Sequence, residues 1–136
     1  LSSEVESALA RLVAGRPEVD CAALFGSAAR GPRRADSDTD IYVRLAVGAR
    51  WSLAERLAIT SELAQVCGRE VDLVVEDGDT SVILRREVAA RGRVLHEARP
   101  GAWTALRVAA LVAYADLEPY LRRIGAAVRE AVARRG

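Results

Sequence analysis

Lysine and methionine are absent from this 136-residue chain, and all 20 basic residues are Arg. Chemistry that needs a lysine amine, such as a Schiff base or a phosphate-loop lysine, is therefore excluded. Cys21 and Cys67 are too few for a disulfide scaffold and lack metal-ligand spacing. They read as idle thiols, buried in a protein of a reducing compartment. His96 is the one histidine, and without a sequence partner it reads as structural rather than catalytic. Aromatics are 4% of the chain, and Trp51 and Trp103 form no stacking array of the RNA-binding kind. The longest apolar run, Val108 to Ala115, is far short of the roughly 20 residues a membrane helix needs. Leu1-Ser2-Ser3-Glu4 has neither the basic start nor the apolar centre of a signal peptide, so a cytoplasmic protein without a membrane partner is expected. An excess of charge of one sign is missing too: 20 basic residues face 19 acidic ones, for a net charge of +1. Direct nucleic-acid binding is accordingly not expected.

What is present is a core. Hydrophobic types make up 51% of the chain, enough for one domain without a covalent staple. Residues 3–14 read as a helix capped by Ser3, with Glu6 three positions on. Val19 to Phe25 is a compact apolar run ending at Gly26-Ser27, so a buried strand is expected. Residues 31–37 read as a loop. Asp38 to Val47 alternates: Thr39, Ile41, Val43 and Leu45 fall on a core face, and Asp38, Asp40, Tyr42 and Arg44 on an open one. A helix over 51–66 would turn Leu53, Leu57, Leu63 and Val66 inward and stop at Gly68. Glu70 to Glu76 forms a third strand with Asp72 opposite its apolar residues. A helix from Thr80 or Ser81, a short strand Val94–His96, and a helical segment over 102–134 interrupted near Pro119 follow. Strands alternating with helices define an α/β (α+β) domain with a small mixed β-sheet flanked by helices.

The chemistry rests on three carboxylates. Asp38 and Asp40 share a strand face, and Asp72 joins them if both strands pack their apolar residues on the same helices. Two unit charges 4 Å apart cost about 4 kcal/mol even at an effective dielectric near 20. Such a trio must be protonated, splayed or filled by a hard cation, and oxygen-only ligands suit Mg²⁺. Upstream, Gly26-Ser27 ends a strand where glycine admits a phosphate and the serine hydroxyl can donate to it. Arg30, within a turn of them, can bind a phosphate or brace an acid. Metal ligands and phosphate donors thus lie on neighbouring segments, as a nucleoside triphosphate would require.

Gly26-Ser27-Ala28-Ala29-Arg30-Gly31, then after five residues Ser37-Asp38-Thr39-Asp40, with Val43 beyond, resembles the motif of the DNA polymerase beta-like nucleotidyltransferase superfamily. The likeness is to its minimal branch, the MNT proteins, and Asp72 in Val71-Asp72-Leu73-Val74 matches that family's third carboxylate. Tyr114-Ala115-Asp116 is similar to the tails of MNT antitoxins paired with HEPN toxins. The resemblance implies a nucleotidyltransferase fold, with a core over residues 1–98 and a C-terminal helical extension over 99–136. It implies that Asp38 and Asp40 bind Mg²⁺ and that Asp72 completes the site and helps deprotonate the acceptor. Gly26 and Ser27 would hold the triphosphate of ATP. The implied activity is transfer of AMP to a tyrosine of a HEPN-type toxin, with the chain as antitoxin. Two alternatives are a small-molecule, aminoglycoside-like nucleotidyltransferase and a non-catalytic antitoxin that neutralises by binding.

Other residues have plainer readings. Tyr42 and Arg44 either touch substrate or cover the sheet. Glu76 is a peripheral ligand or a solvated strand end, and Arg33 and Arg34 are phosphate contacts or a solvated loop. Apolar residues wrap most of the way round 103–117, so this helix is either well buried or covered by a partner or a second copy of the chain. Leu121, Ile124, Val128 and Val132 continue it as a narrow stripe among arginines.

Overall fold

A computed structural model describes residues 1–26 and 38–135. Ser27 and Arg30, together with Arg33 and Arg34, lie outside the described residues. Helices and strands follow in the order α1 (Ser3–Ala14), β1 (Val19–Phe25), β2 (Thr39–Leu45), α2 (Leu53–Cys67), β3 (Val71–Val75), α3 (Val82–Arg91), β4 (Arg93–Glu97) and α4 (Ala102–Arg135). The sheet runs β3-β2-β1-β4. β1 pairs antiparallel with β2 and β4, while β2 and β3 are parallel and joined through α2. This is the mixed sheet flanked by helices that the alternation predicts.

Caps set the helix starts. Ser2, not Ser3, caps α1, accepting a hydrogen bond from the Val5 amide at 3.2 Å. Two adjacent serines compete for that position, and the one in extended geometry takes it. Ser52 caps α2 through a reciprocal exchange with Glu55, and Gly68 closes the helix in the left-handed conformation at φ 75°. Ser81 caps α3.

Two layers of core form on the two faces of the sheet. On one, Ala22, Leu24, Ile41 and Val43 pack with Leu9 and Val13 of α1 and Ile59, Leu63 and Cys67 of α2. Leu53 and Leu57, expected inward, are instead 73% and 62% exposed. Leu57 and Ile59 sit about 200° apart around a helix, so only one of the two stripes can face the sheet. On the other face, Cys21, Ala23, Phe25 and Tyr42 pack with Val88 of α3 and Leu106 of α4. That face is therefore not open along its length: Tyr42 is only 2% exposed. A register shift between Val19 and Cys21 offsets the β1 alternation, which puts Val19 and Ala22 in the same core.

The long helix runs through the break expected near Pro119 and is not buried all round. Pro119 lies inside a continuous 34-residue α4. The ring removes one helical hydrogen bond, to the carbonyl of Ala115, but Ala115 is exposed and that carbonyl can be hydrated. The helix is also covered on one side only. Ala102, Leu106 and Ala110 are buried, whereas Val108, Leu111 and Val112 are 42–56% exposed.

Candidate active site

The carboxylates lie where three strands meet. β1 ends at Phe25, which pairs with Asp40 of β2. Asp40 in turn pairs with Asp72 in the parallel register of β2 and β3. Parallel neighbours stand about 4.8 Å apart and point to the same side, so these two acids are lateral neighbours. Asp40 is half-buried and Asp72 exposed. Asp38 precedes β2 by one residue and is exposed.

Gly26 closes this corner. Its φ is +66°, a conformation that favours glycine, and its backbone lies directly against Asp40. A Cβ there would fall 3.2 Å from the Asp40 Cγ and closer still to Oδ2. The bare Cα is thus a cradle for the carboxylate, and a side chain would fill it.

Among the described residues no group of three or more His, Cys, Asp or Glu side chains is gathered closely enough to hold a metal ion. Mutual repulsion dictates a splayed trio for ionised carboxylates by themselves. The donor set still fits a hard divalent cation: two lateral carboxylates, a third two residues away, and no sulfur or imidazole among them. Ser27 and Arg30, the expected phosphate donors beside Gly26, fall outside the described residues.

Farther along the same face the charges are neutralised in place. Arg44 donates to Asp20 at 2.7 Å, and Arg99 reaches the same carboxylate at 3.2 Å. Burial alone would raise the Asp20 pKa, but the hydrogen bonds and charges of Arg44 and Arg99 outweigh it and hold the group below its usual value. Glu76 pairs with Arg85 at 2.7 Å, so it is not a free strand end. Burial, reinforced by the Glu76 charge, pushes the Tyr42 phenol up. Burial also pushes the Cys21 thiol up to about 11. Tyr42, Arg44, Glu76 and Arg85 line a cavity of about 90 Å³ beneath the alanines of α4. A wider groove of about 510 Å³, with Arg50, Arg56, Asp77 and Asp79, lies beyond the opposite ends of β2 and β3.

The residues that sequence reasoning set aside are Thr39 and Cys67. Thr39 was read as one more core position and Cys67 as an idle thiol, yet they hydrogen-bond to each other directly behind the carboxylates. A polar residue at an inward strand position was the available signal.

A mixed sheet with paired carboxylates beside a strand-ending glycine defines a nucleotidyltransferase type of fold. A sequence profile of the Polymerase beta, Nucleotidyltransferase family matches residues 8–100, and the chain belongs to that family. No curated protein matches the chain. Among solved structures, the chain is similar to a toxin–antitoxin complex with AMP-PNP, at 24% identity and a TM-score of 0.76 over 90% of this chain and 97% of that one. It is also similar to a structure of the tri-AMPylated Shewanella oneidensis HEPN toxin in complex with MNT antitoxin, at 22% identity and TM-score 0.72 over 94% and 98%. A putative minimal nucleotidyltransferase shares 28% identity at TM-score 0.54, over 66% of this chain and 89% of that one. Among the described residues no helix is long and apolar enough to cross a membrane.

Proposed function

We propose that this protein is a Mg²⁺-dependent nucleotidyltransferase that moves AMP from ATP to a tyrosine hydroxyl of a HEPN-type toxin, as its cytoplasmic antitoxin. The observation that carries the reading is the register that sets Asp40 beside Asp72, with Asp40 held against the bare backbone of Gly26. Asp38 and Asp40 would hold the cation, with Asp72 completing the set. Gly26, Ser27 and Arg30 would hold the triphosphate. Magnesium, when bound, offsets charge on the phosphates. Asp72 takes the proton as the acceptor oxygen attacks the α-phosphorus; the bond to the pyrophosphate oxygen breaks, and pyrophosphate leaves. The protein supplies chiefly position and charge complementarity. Residues 1–98 carry this chemistry, and the extension over 99–136 presents an apolar stripe for the partner. The similar complexes with AMP-PNP and with an AMPylated toxin support both the donor and the acceptor.

The test is to incubate the protein with ATP, Mg²⁺ and the HEPN-type product of the neighbouring gene, and weigh both chains. One or more AMP units on the partner, abolished by Asp38→Asn/Asp40→Asn, is the expected result. An unmodified toxin still neutralised by that double variant would establish occlusion instead. Adenylylation of an added aminoglycoside, with an unmodified partner, would establish the small-molecule reading.

A further inference from the structure

We propose that Cys67, acting through Thr39, is a positioning residue for the carboxylate pair Asp38 and Asp40; this rests on the nucleotidyltransferase reading above. Thr39 stands between the two acids and points the other way, into the core. It is fully buried and, aromatic and cysteine side chains apart, is the one polar residue buried among the described residues. A hydroxyl in that setting needs a partner, and its partner is the Cys67 thiol, 3.2 Å away. The backbone is tied at the same point: the Thr39 amide donates to the Glu70 carbonyl at 2.9 Å.

These two bonds close a small frame. Cys67 is the last residue of α2, Gly68 turns the chain, and Glu70 leads into β3 two residues before Asp72. The segment carrying Asp72 is therefore clamped onto the residue between Asp38 and Asp40, by side chain at one end and backbone at the other. Loss of the thiol would leave the Thr39 hydroxyl unpaired in an apolar layer. The strand would then gain freedom to rotate or slide where the acids must converge. Groups hydrogen-bonded directly to metal ligands carry about 10–100-fold in metal affinity when removed, and the Thr39–Cys67 pair, one step further back, is expected at the lower end.

The experiment titrates Mn²⁺ into the full-length protein with a non-hydrolysable ATP analogue and follows bound Mn²⁺ by electron paramagnetic resonance. Cys67→Ala, Cys67→Ser and Thr39→Val are compared after thermal melts confirm folding. Cys67→Ala and Thr39→Val are each expected to weaken Mn²⁺ binding about tenfold, whereas Cys67→Ser, which keeps a hydrogen-bonding side chain, stays within about twofold. If Cys67→Ala fails to fold, Thr39→Val, which keeps the volume, decides. Wild-type affinity in the alanine and valine variants overturns the inference, and so does a serine variant as weak as the alanine one. If the wild-type protein itself binds no Mn²⁺ with the analogue, the nucleotidyltransferase reading fails and the inference falls with it.

Discussion

The two faces of β2 solve opposite problems with alternate residues of one strand. Ile41 and Val43 are fully buried against α1 and α2, where each large apolar side chain removed from water contributes about 1.5–3 kcal/mol. The other face carries Asp40, Tyr42 and Arg44, and its polarity is handled in two ways. Around Arg44 charges stand in opposite pairs: Asp20 lies between Arg44 and Arg99, and Glu76 beside Arg85. At Asp40 the cross-strand neighbour is another acid, Asp72. Two carboxylates side by side repel when both are ionised, a cost the apolar face does not carry. They mark the end of the face where the proposed site lies.

The sharpest way to break this contrast is to remove one acid. Asp40→Asn is expected to lower AMP transfer by about 10³-fold, in the range seen when a main electrostatic contact to a reacting group is lost. Asp72→Asn should be similarly inactive in the mass assay. It should also melt no lower than wild type, and higher if repulsion between the two carboxylates is the dominant local cost. A melting temperature that falls in both variants would show that the pair stabilises the fold and would undo the comparison.

On the sealed face the expected loss is of stability rather than rate. Ile41→Ala should cost about 3 kcal/mol by denaturant titration, because the side chain is 0% exposed and the sheet and helices around it relax little. Transfer activity measured well below the melting temperature should change far less than in Asp40→Asn. The two variants differ by one position along the strand, so they separate folding from function at nearly the same place.

The balanced end of the polar face gives a smaller effect with a pH signature. Arg44→Met removes both hydrogen bonds to the Asp20 carboxylate at the cost of about 2 kcal/mol near neutrality. The folded-state pKa of Asp20 is depressed despite burial, by Arg44 and then Arg99. Its contribution is thus present in full above the ordinary carboxylate value of about 3.9 and is lost as pH falls through the lower folded value. Acid titration of stability should show this decline in wild type and a shallower one in Arg44→Met.

Much of this contrast was legible in the sequence, because strand parity is a strict rule. Reading Asp38, Asp40 and Asp72 against their apolar neighbours puts them on one face if both strands pack on the same helices, but the register that sets Asp40 beside Asp72 comes from the sheet itself. Parity does not say what covers a face, and Tyr42 therefore read as open although α3 and α4 lie over it. Helical periodicity was partly right on α2, where Leu63 faces the core but leucines fall on both sides and packing on the sheet buries the stripe of Ile59, Leu63 and Cys67. Pro119 was weighed by its local cost alone, and an exposed helix accommodates that cost. The corner at Ser27 and Arg30 was legible only as a motif.

The same reasoning assigns the smallest effect to the far end of α4. Ile124 and Val128 are 61% and 55% exposed, so they contribute little to the isolated fold. Serine at both positions should shift its stability by no more than about 0.5 kcal/mol each, as for other surface changes. Yet Leu121, Ile124, Val128 and Val132 keep one apolar side over several turns, and the last three are each more than half exposed. If that side serves the proposed toxin, the double variant should lose partner binding by calorimetry while its melting curve and its intrinsic nucleotide binding stay as in wild type. Unchanged partner affinity would assign recognition to the core instead and leave the exposed stripe without a role.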